Sequence, residues 1–208
     1  MLLLAITVQR DMHSRLIDVE SAFSIPENHQ EVFMKFPEGM IPQDGKALLL
    51  THSINGTKQG AHDWHALAHQ TLIDIGFKAS LIDQCFYIKW TGAQLTIIGL
   101  YVDDFRVVSD NPANLDVIEI EFKKRFSVKV AKESWWLGMK VDHDREGGTI
   151  ELSQEATIEA LLEKHGMAQC NPQWTPADPG TKLVKTMDGV IDPAARLFPY
   201  REVVGCLC

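Results

Sequence analysis

Four cysteines in 208 residues, none in CxxC spacing, are too few and too scattered for a disulfide framework or a structural zinc site. Cys206-x-Cys208 is too tightly spaced for a zinc pair and has no second pair, so a reducing compartment is expected. No stretch approaches the roughly 20 apolar residues of a membrane span. The one apolar run at the start, Met1 to Val8, lacks a charged leader and an A-x-A cleavage site. It therefore reads as a buried first helix, and no membrane partner is expected. Neither GxGxxG nor GxxxxGK followed by Ser or Thr occurs, which excludes the glycine-loop nucleotide binders. No serine or cysteine stands in an arrangement for nucleophilic catalysis, and there is no internal repeat. Basic residues number 20 against 28 acids, a net charge of −8, so a wholesale polybasic nucleic-acid binder is excluded while a local basic groove is not. With 45% hydrophobic residues, the chain can bury its own core.

What is present is an alternation of hairpins and helices. Arg15 to Phe23 reads as a strand running into a turn, with Ile17 and Val19 on one face and Asp18 on the other with Leu16. Pro26, Pro37, Gly39, Pro42 and Gly45 make residues 24 to 46 loops around one brief strand, Glu31 to Phe36, and Leu48 to Ile54 suits another. From Gln59, the apolar positions Trp64, Leu67, Ala68, Thr71, Leu72 and Ile75 keep a helical period that Gly76 ends. Cys85 to Trp90 reads as a strand. Gln94 to Tyr101 and Phe105 to Ser109 flank Val102-Asp103-Asp104 as a hairpin. A helix carrying Leu115, Ile118, Phe122 and Phe126 follows Asn111-Pro112. A second hairpin, Trp136 to Leu152, leads to a helix that Ser153 caps and Gly166 stops. Residues 171 to 199 hold enough prolines to imply an irregular tract. The expected class is α+β with an antiparallel sheet.

The carboxylates carry the chemistry. Asp103 and Asp104 are adjacent at a hairpin tip, where like charges raise one another's pKa unless a cation compensates. Hard ions such as Mg²⁺ prefer carboxylate oxygens, and Asp18, at the end of a separate strand, supplies a third acid. Three such acids suit two metals about 4 Å apart in phosphoryl transfer. Aspartates favour turns in any case, and spacing alone divides evenly between the two readings. His62, His65 and His69 fall on one helix, but without an acid or cysteine in ligand spacing they read as a polar face.

Leu16-Ile-Asp-Val-Glu-Ser-Ala-Phe23, then Ser53-Ile-Asn-Gly-Thr-Lys-Gln-Gly-Ala-His-Asp-Trp64, then Leu100-Tyr-Val-Asp-Asp-Phe105, resembles the copia-type retrotransposon reverse transcriptases. Trp136-Leu-Gly-Met-Lys-Val141, Gly148 to Gln154, Thr175 to Leu183 and Tyr200 to Gly205 continue the series in family order over nearly the whole chain. The resemblance implies a right-hand polymerase palm over residues 1–170, with partial fingers and a primer-grip hairpin. Residues 171–208 would lead toward the thumb or connection and a ribonuclease H region. It implies RNA-directed DNA polymerase activity, with RNA/DNA template-primer and dNTP as partners and Mg²⁺ or Mn²⁺ as cofactor. Asp18, Asp103 and Asp104 would be catalytic metal ligands. Phe23 would be the steric gate against a ribose 2′-OH, Ser21 and Ala22 would approach the triphosphate, and Gln59 the incoming nucleotide. Tyr101 would contact the primer end, and Trp136, Leu137 and Gly138 would form the primer grip. An intracellular location, cytoplasmic or nuclear, also follows from the resemblance alone.

Residues 121 to 140 carry Lys123, Lys124, Arg125, Lys129, Lys132 and Lys140 against Glu121 and Glu133, with Trp135 and Trp136 among them. That mixture suits phosphate attraction plus stacking, with Lys123, Lys124 and Arg125 as nucleic-acid contacts. A solvated helix face followed by core tryptophans explains the same residues. Only 17 residues precede Asp18, so a basic upstream fingers segment and the C-terminal continuation are expected to be missing. Asn55 replaces an aromatic residue of the family, and Ser24-Ile-Pro-Glu-Asn28 its Leu-Asn-Gly turn. A catalytically inactive nucleic-acid-binding or structural remnant is the alternative to an active polymerase, and a nucleotidyl cyclase is a distant third.

Overall fold

The computed structural model describes residues 1–41, 44–131, 134–175, 180 and 199–207. The chain divides into two units, Met1–Leu152 and Ser153–Cys208.

In the first unit, helix α1 (Leu2–Gln9) precedes strand β1 (His13–Val19), a 3₁₀ turn (Ala22–Ser24), and the strands β2 (Glu27–Met34) and β3 (Leu48–His52). Helix α2 (Lys58–Asp74) leads into β4 (Lys78–Ala79), β5 (Phe86–Thr91), β6 (Gln94–Tyr101) and β7 (Asp104–Ser109). Helix α3 (Pro112–Lys123) is followed by β8 (Val128–Ala131), β9 (Trp135–Trp136), β10 (Met139–Asp144) and β11 (Thr149–Ser153). Strands β4-β5-β6-β7-β1-β8 form one six-stranded antiparallel sheet in that order. Strands β11-β10-β9 and β2-β3 form two smaller sheets. The expected α+β class with an antiparallel sheet and flanking helices is what the chain adopts.

Strand alternation sorts the core into two layers. Ile17 and Val19 of β1 and Phe105 and Val107 of β7 face α2 and α3, packing with Trp64, Ala68, Leu72, Leu115, Ile118 and Phe122. Leu16 and Val108 face the other way, against Leu3 and Leu4 of α1, Trp136 and Val141. Because β6 and β7 are covered on both faces, their sequences are continuous apolar runs rather than alternating ones. The helix ends obey local chemistry. The Thr57 hydroxyl accepts the Gly60 N–H at 3.1 Å to open α2, and the Asn111 side chain accepts from Ala113 at 3.0 Å to open α3, which has Pro112 in its first turn. Gly60 is required there: a Cβ would meet the Ile54 carbonyl and the Thr57 hydroxyl at 2.9 Å.

Four local expectations need correction. The strand expected at Glu31 to Phe36 starts earlier, at Glu27, because the Asn28 amide donates to the Leu50 and His52 carbonyls and anchors β2 to β3 across an irregular register. Strands β4 and β8 have no counterpart in the sequence reading, being too short to show a period. Phe126 lies past the end of α3 yet remains in the core. The first helix is covered on one side only: Leu3 and Leu4 are buried, while Met1 and Leu2 are exposed.

The second unit holds α4 (Glu155–Lys164) and α5 (Tyr200–Leu207), joined by an ion pair between Lys164 and Glu202. Ser153 accepts the Glu155 N–H at 3.1 Å, and Gly166 follows α4 at φ +67°. Most of the tract expected to be irregular, and the motif from Thr175 to Leu183, falls on 176–179 and 181–198, outside the described residues. No helix among the described residues is long and apolar enough to cross a membrane.

Candidate active site

Strands β1 and β7 run antiparallel with Asp18 directly opposite Asp104. The Val19 N–H donates to the Asp103 carbonyl at 3.1 Å, which extends the pairing into the turn. Directly opposed residues share a face, so Asp18 and Asp104 stand together on the side of the sheet that carries Leu16, Arg106 and Val108. The sequence reading assigned Asp18 to that face.

The hairpin joining β6 to β7 closes on the Tyr101–Asp104 pair, leaving Val102 and Asp103 as its loop. Val102 has φ +56°, and Asp103 is not in the left-handed region. Positive φ at the first loop residue alone is the primed type II pattern, which normally takes glycine there. A β-branched residue at this φ is a strained outlier. The carbonyl of Val102 accepts a 2.6 Å hydrogen bond from the indole N–H of Trp64 on α2.

All three acids are half-buried. Burial, and then the charge of Asp103, raises the pKa of Asp18; Lys129, its cross-strand neighbour on β8, opposes the rise. Asp104 is raised by burial and by the charges of Asp103 and Asp18, with Arg106 opposing. Asp18 and Asp104 therefore both feel a neighbouring carboxylate, the condition a cation relieves. Among the described residues, no group of three or more His, Cys, Asp or Glu is already gathered into a metal cage. The expected three-ligand cluster is thus not preformed. Adjacent carboxylates nevertheless suit Mg²⁺, which takes one or two of them and completes its shell with water and substrate phosphates rather than with an all-protein cage.

The other expected residues distribute unevenly. Ser21 is exposed at φ +54°, Ala22 is in the core, and Phe23 is half-buried against it. The turn carrying them packs on α2. Gln59 is exposed in the first turn of α2, its amide donating to Asp63 at 2.7 Å. Tyr101 is exposed at the hairpin end. Leu137 and Gly138, at φ +52° and +75°, form the tight loop between β9 and β10. Trp136 is buried, with the Arg106 guanidinium 4.9 Å from its ring centre.

Lys123, Lys124 and Arg125 are not gathered with the acids. They come from the end of α3, in the layer on the opposite face of the sheet, and pair with Glu119 or Glu121. Lys129 pairs with Glu20, and Lys132 is outside the described residues. His69 is engaged with the hydroxyl of buried Tyr87 at 3.0 Å, and exposed His62 with Asp63 at 3.2 Å. Sequence reasoning missed Trp64 as a donor, because its helical spacing marks it only as core. It also missed Arg106, a lone cation in an apolar run, which is 2% exposed and two residues beyond Asp104.

A family model described as reverse transcriptase (RNA-dependent DNA polymerase) matches residues 1–179. The Retrovirus-related Pol polyprotein from transposon RE1 of Arabidopsis thaliana is 29% identical over 99% of the chain, and that from transposon TNT 1-94 of Nicotiana tabacum is 27% identical over the same share. The alignments cover 14% and 16% of those two polyproteins, so the chain spans only a small part of the length of these relatives. A family match across most of the chain, together with motifs that bring Asp18 opposite the Asp103–Asp104 hairpin, has one consequence: the chain belongs to the reverse transcriptases of the copia type.

Proposed function

We propose that this chain is the palm of an RNA-directed DNA polymerase and extends a primer 3′-OH with dNTPs on an RNA template. The observation that carries the reading is the register that sets Asp18 opposite Asp104, with Asp103 at the adjoining turn. Asp18, Asp103 and Asp104 are the residues that would hold divalent cations. Bound there, Mg²⁺ would supply charge neutralisation for the attacking and leaving oxygens of the phosphoryl transfer.

The chain's own residues set the rest. Exposed Tyr101, one position before the acid-bearing loop, would meet the primer end. The β9–β10 turn at Leu137 and Gly138 is the primer grip, held by Trp136 in the core. Phe23, half-buried beside α2, keeps enough ring surface free to exclude a 2′-OH. Ser21 and Ala22 offer backbone N–H groups to the triphosphate, and Gln59 exchanges its bond to Asp63 for the nucleotide.

Primer extension on poly(rA)/oligo(dT) with Mg²⁺ tests the proposal. Incorporation of dTTP that Asp103→Asn lowers at least 10³-fold, on the order expected for loss of a principal electrostatic contributor, supports it. Template-primer binding without incorporation supports the remnant reading instead. Lys123, Lys124 and Arg125 lend that second reading little, because their ion pairs with Glu119 and Glu121 give the end of α3 the character of a solvated helix face.

A further inference from the structure

Val102 is at positive φ in both two-residue turns that suit this hairpin, II′ and I′, so its φ of +56° does not select between them. Its side chain is 45% exposed, so packing does not hold it, and as a β-branched residue it resists this conformation. The alternative within the same hairpin is a flip of the loop's central peptide, the one joining Val102 to Asp103. Such a flip converts the II′ pattern to I′, carries Asp103 into positive φ and re-aims its side chain relative to the Asp18–Asp104 pair. The oxygen of that same central peptide is the one that receives the 2.6 Å hydrogen bond from Trp64.

Trp64 is built to hold it. The residue is 2% exposed, and its ring is wedged edge-on between Phe105, with centroids 6.3 Å apart, and Phe126, at 5.4 Å. Helix α2 is fixed at its start by the Thr57 cap and the close approach that Gly60 permits. The indole therefore cannot swing to follow a flipped carbonyl. A flip would leave a buried N–H without a partner, which is costly. We infer that Trp64 is a positioning residue: its indole N–H locks the central peptide of the Val102–Asp103 loop in the orientation that presents Asp103 beside Asp18 and Asp104. The structural half of this inference stands alone, and its consequence for turnover rests on the polymerase reading above.

The test uses the ¹⁵N-labelled 208-residue chain. Trp64→Phe keeps an aromatic ring in the core and deletes the donor. Leu67→Ala, a half-buried position on the same helix that packs on the same core, controls for general loosening. The lock predicts that Trp64→Phe broadens or doubles the backbone amide signals of Val102, Asp103 and Asp104, and that Leu67→Ala does not. In primer extension it predicts a kcat about tenfold lower for Trp64→Phe, with KM for dTTP changed less than twofold. Unchanged amide signals in Trp64→Phe overturn the inference, as do equal changes in both variants. If the parent incorporates no nucleotide while the amide signals respond as expected, the polymerase reading fails and the lock survives. If incorporation is robust and Trp64→Phe alters neither signals nor kcat, the lock fails alone.

Discussion

At the scale of single residues, the site is a set of groups held in states that the fold disfavours. Asp18 and Asp104 both have pKa values raised by burial and by neighbouring carboxylates, so their ionised forms at neutral pH weaken the folded state. The sign is that of an acid whose folded pKa exceeds its unfolded one: the penalty is full above the folded value and vanishes below the unfolded one. Asp104→Asn is accordingly expected to stabilise the chain by about 0.5–2 kcal/mol at pH 7 while abolishing incorporation, with the gain shrinking toward pH 4. Denaturant titrations at the two pH values check this, and a loss of stability at pH 7 would refute it. Val102 adds backbone strain of about 1–3 kcal/mol. Val102→Gly should therefore raise the unfolding free energy by about 1 kcal/mol yet lower kcat, because glycine accepts both turn conformations. The opposite case is Asp110, which accepts hydrogen bonds from Arg10 and from the Leu95 N–H, and the Arg10 bond is the main reason its pKa lies below the ordinary carboxylate range. Its contribution is present above the unfolded pKa and fades as pH falls through the lower folded value. Asp110→Asn should destabilise at pH 7, and the difference from the parent should close in acid.

At the scale of elements, patterns with a clear period were readable and contacts without one were not. Strand β6 matches the expected Gln94 to Tyr101, and α2 begins within a residue of Gln59 because cap and apolar period agree. The opposite faces of Ile17 and Asp18 followed from alternation in β1. Strands β4 and β8, at two and four residues, carry no such signal and exist because a neighbouring edge recruits them. The candidate site was legible as acids in a hairpin, and its assignment came from motif order. That Asp18 lies opposite Asp104 depends on β1 inserting between β7 and β8, a long-range pairing that no local pattern encodes. The ion pairs of α3 were equally hidden, since Glu119 and Glu121 become partners only on a formed helix. The small β9–β11 sheet depends on Trp136 and its contact with Arg106. Trp136→Ala is expected to cost about 3–5 kcal/mol in thermal or denaturant unfolding and to raise KM for primer. A variant that folds as well as the parent would show that this sheet is held by other contacts.

For the whole molecule, one antiparallel sheet separates helices α2 and α3 from the face on which Asp18 and Asp104 stand. The net charge of −8 gives the chain no general attraction for nucleic acid, so the template-primer binding that the polymerase proposal needs would have to come from local cations. In the proposed polymerase the acids share a divalent ion when substrate phosphates complete its shell. Anomalous diffraction from crystals soaked with Mn²⁺, template-primer and dTTP measures this directly. A manganese peak bounded by the carboxylates of Asp18 and Asp103 or Asp104 is the expected result. Ordered dTTP with no peak between those side chains, or manganese bound only elsewhere, would contradict it.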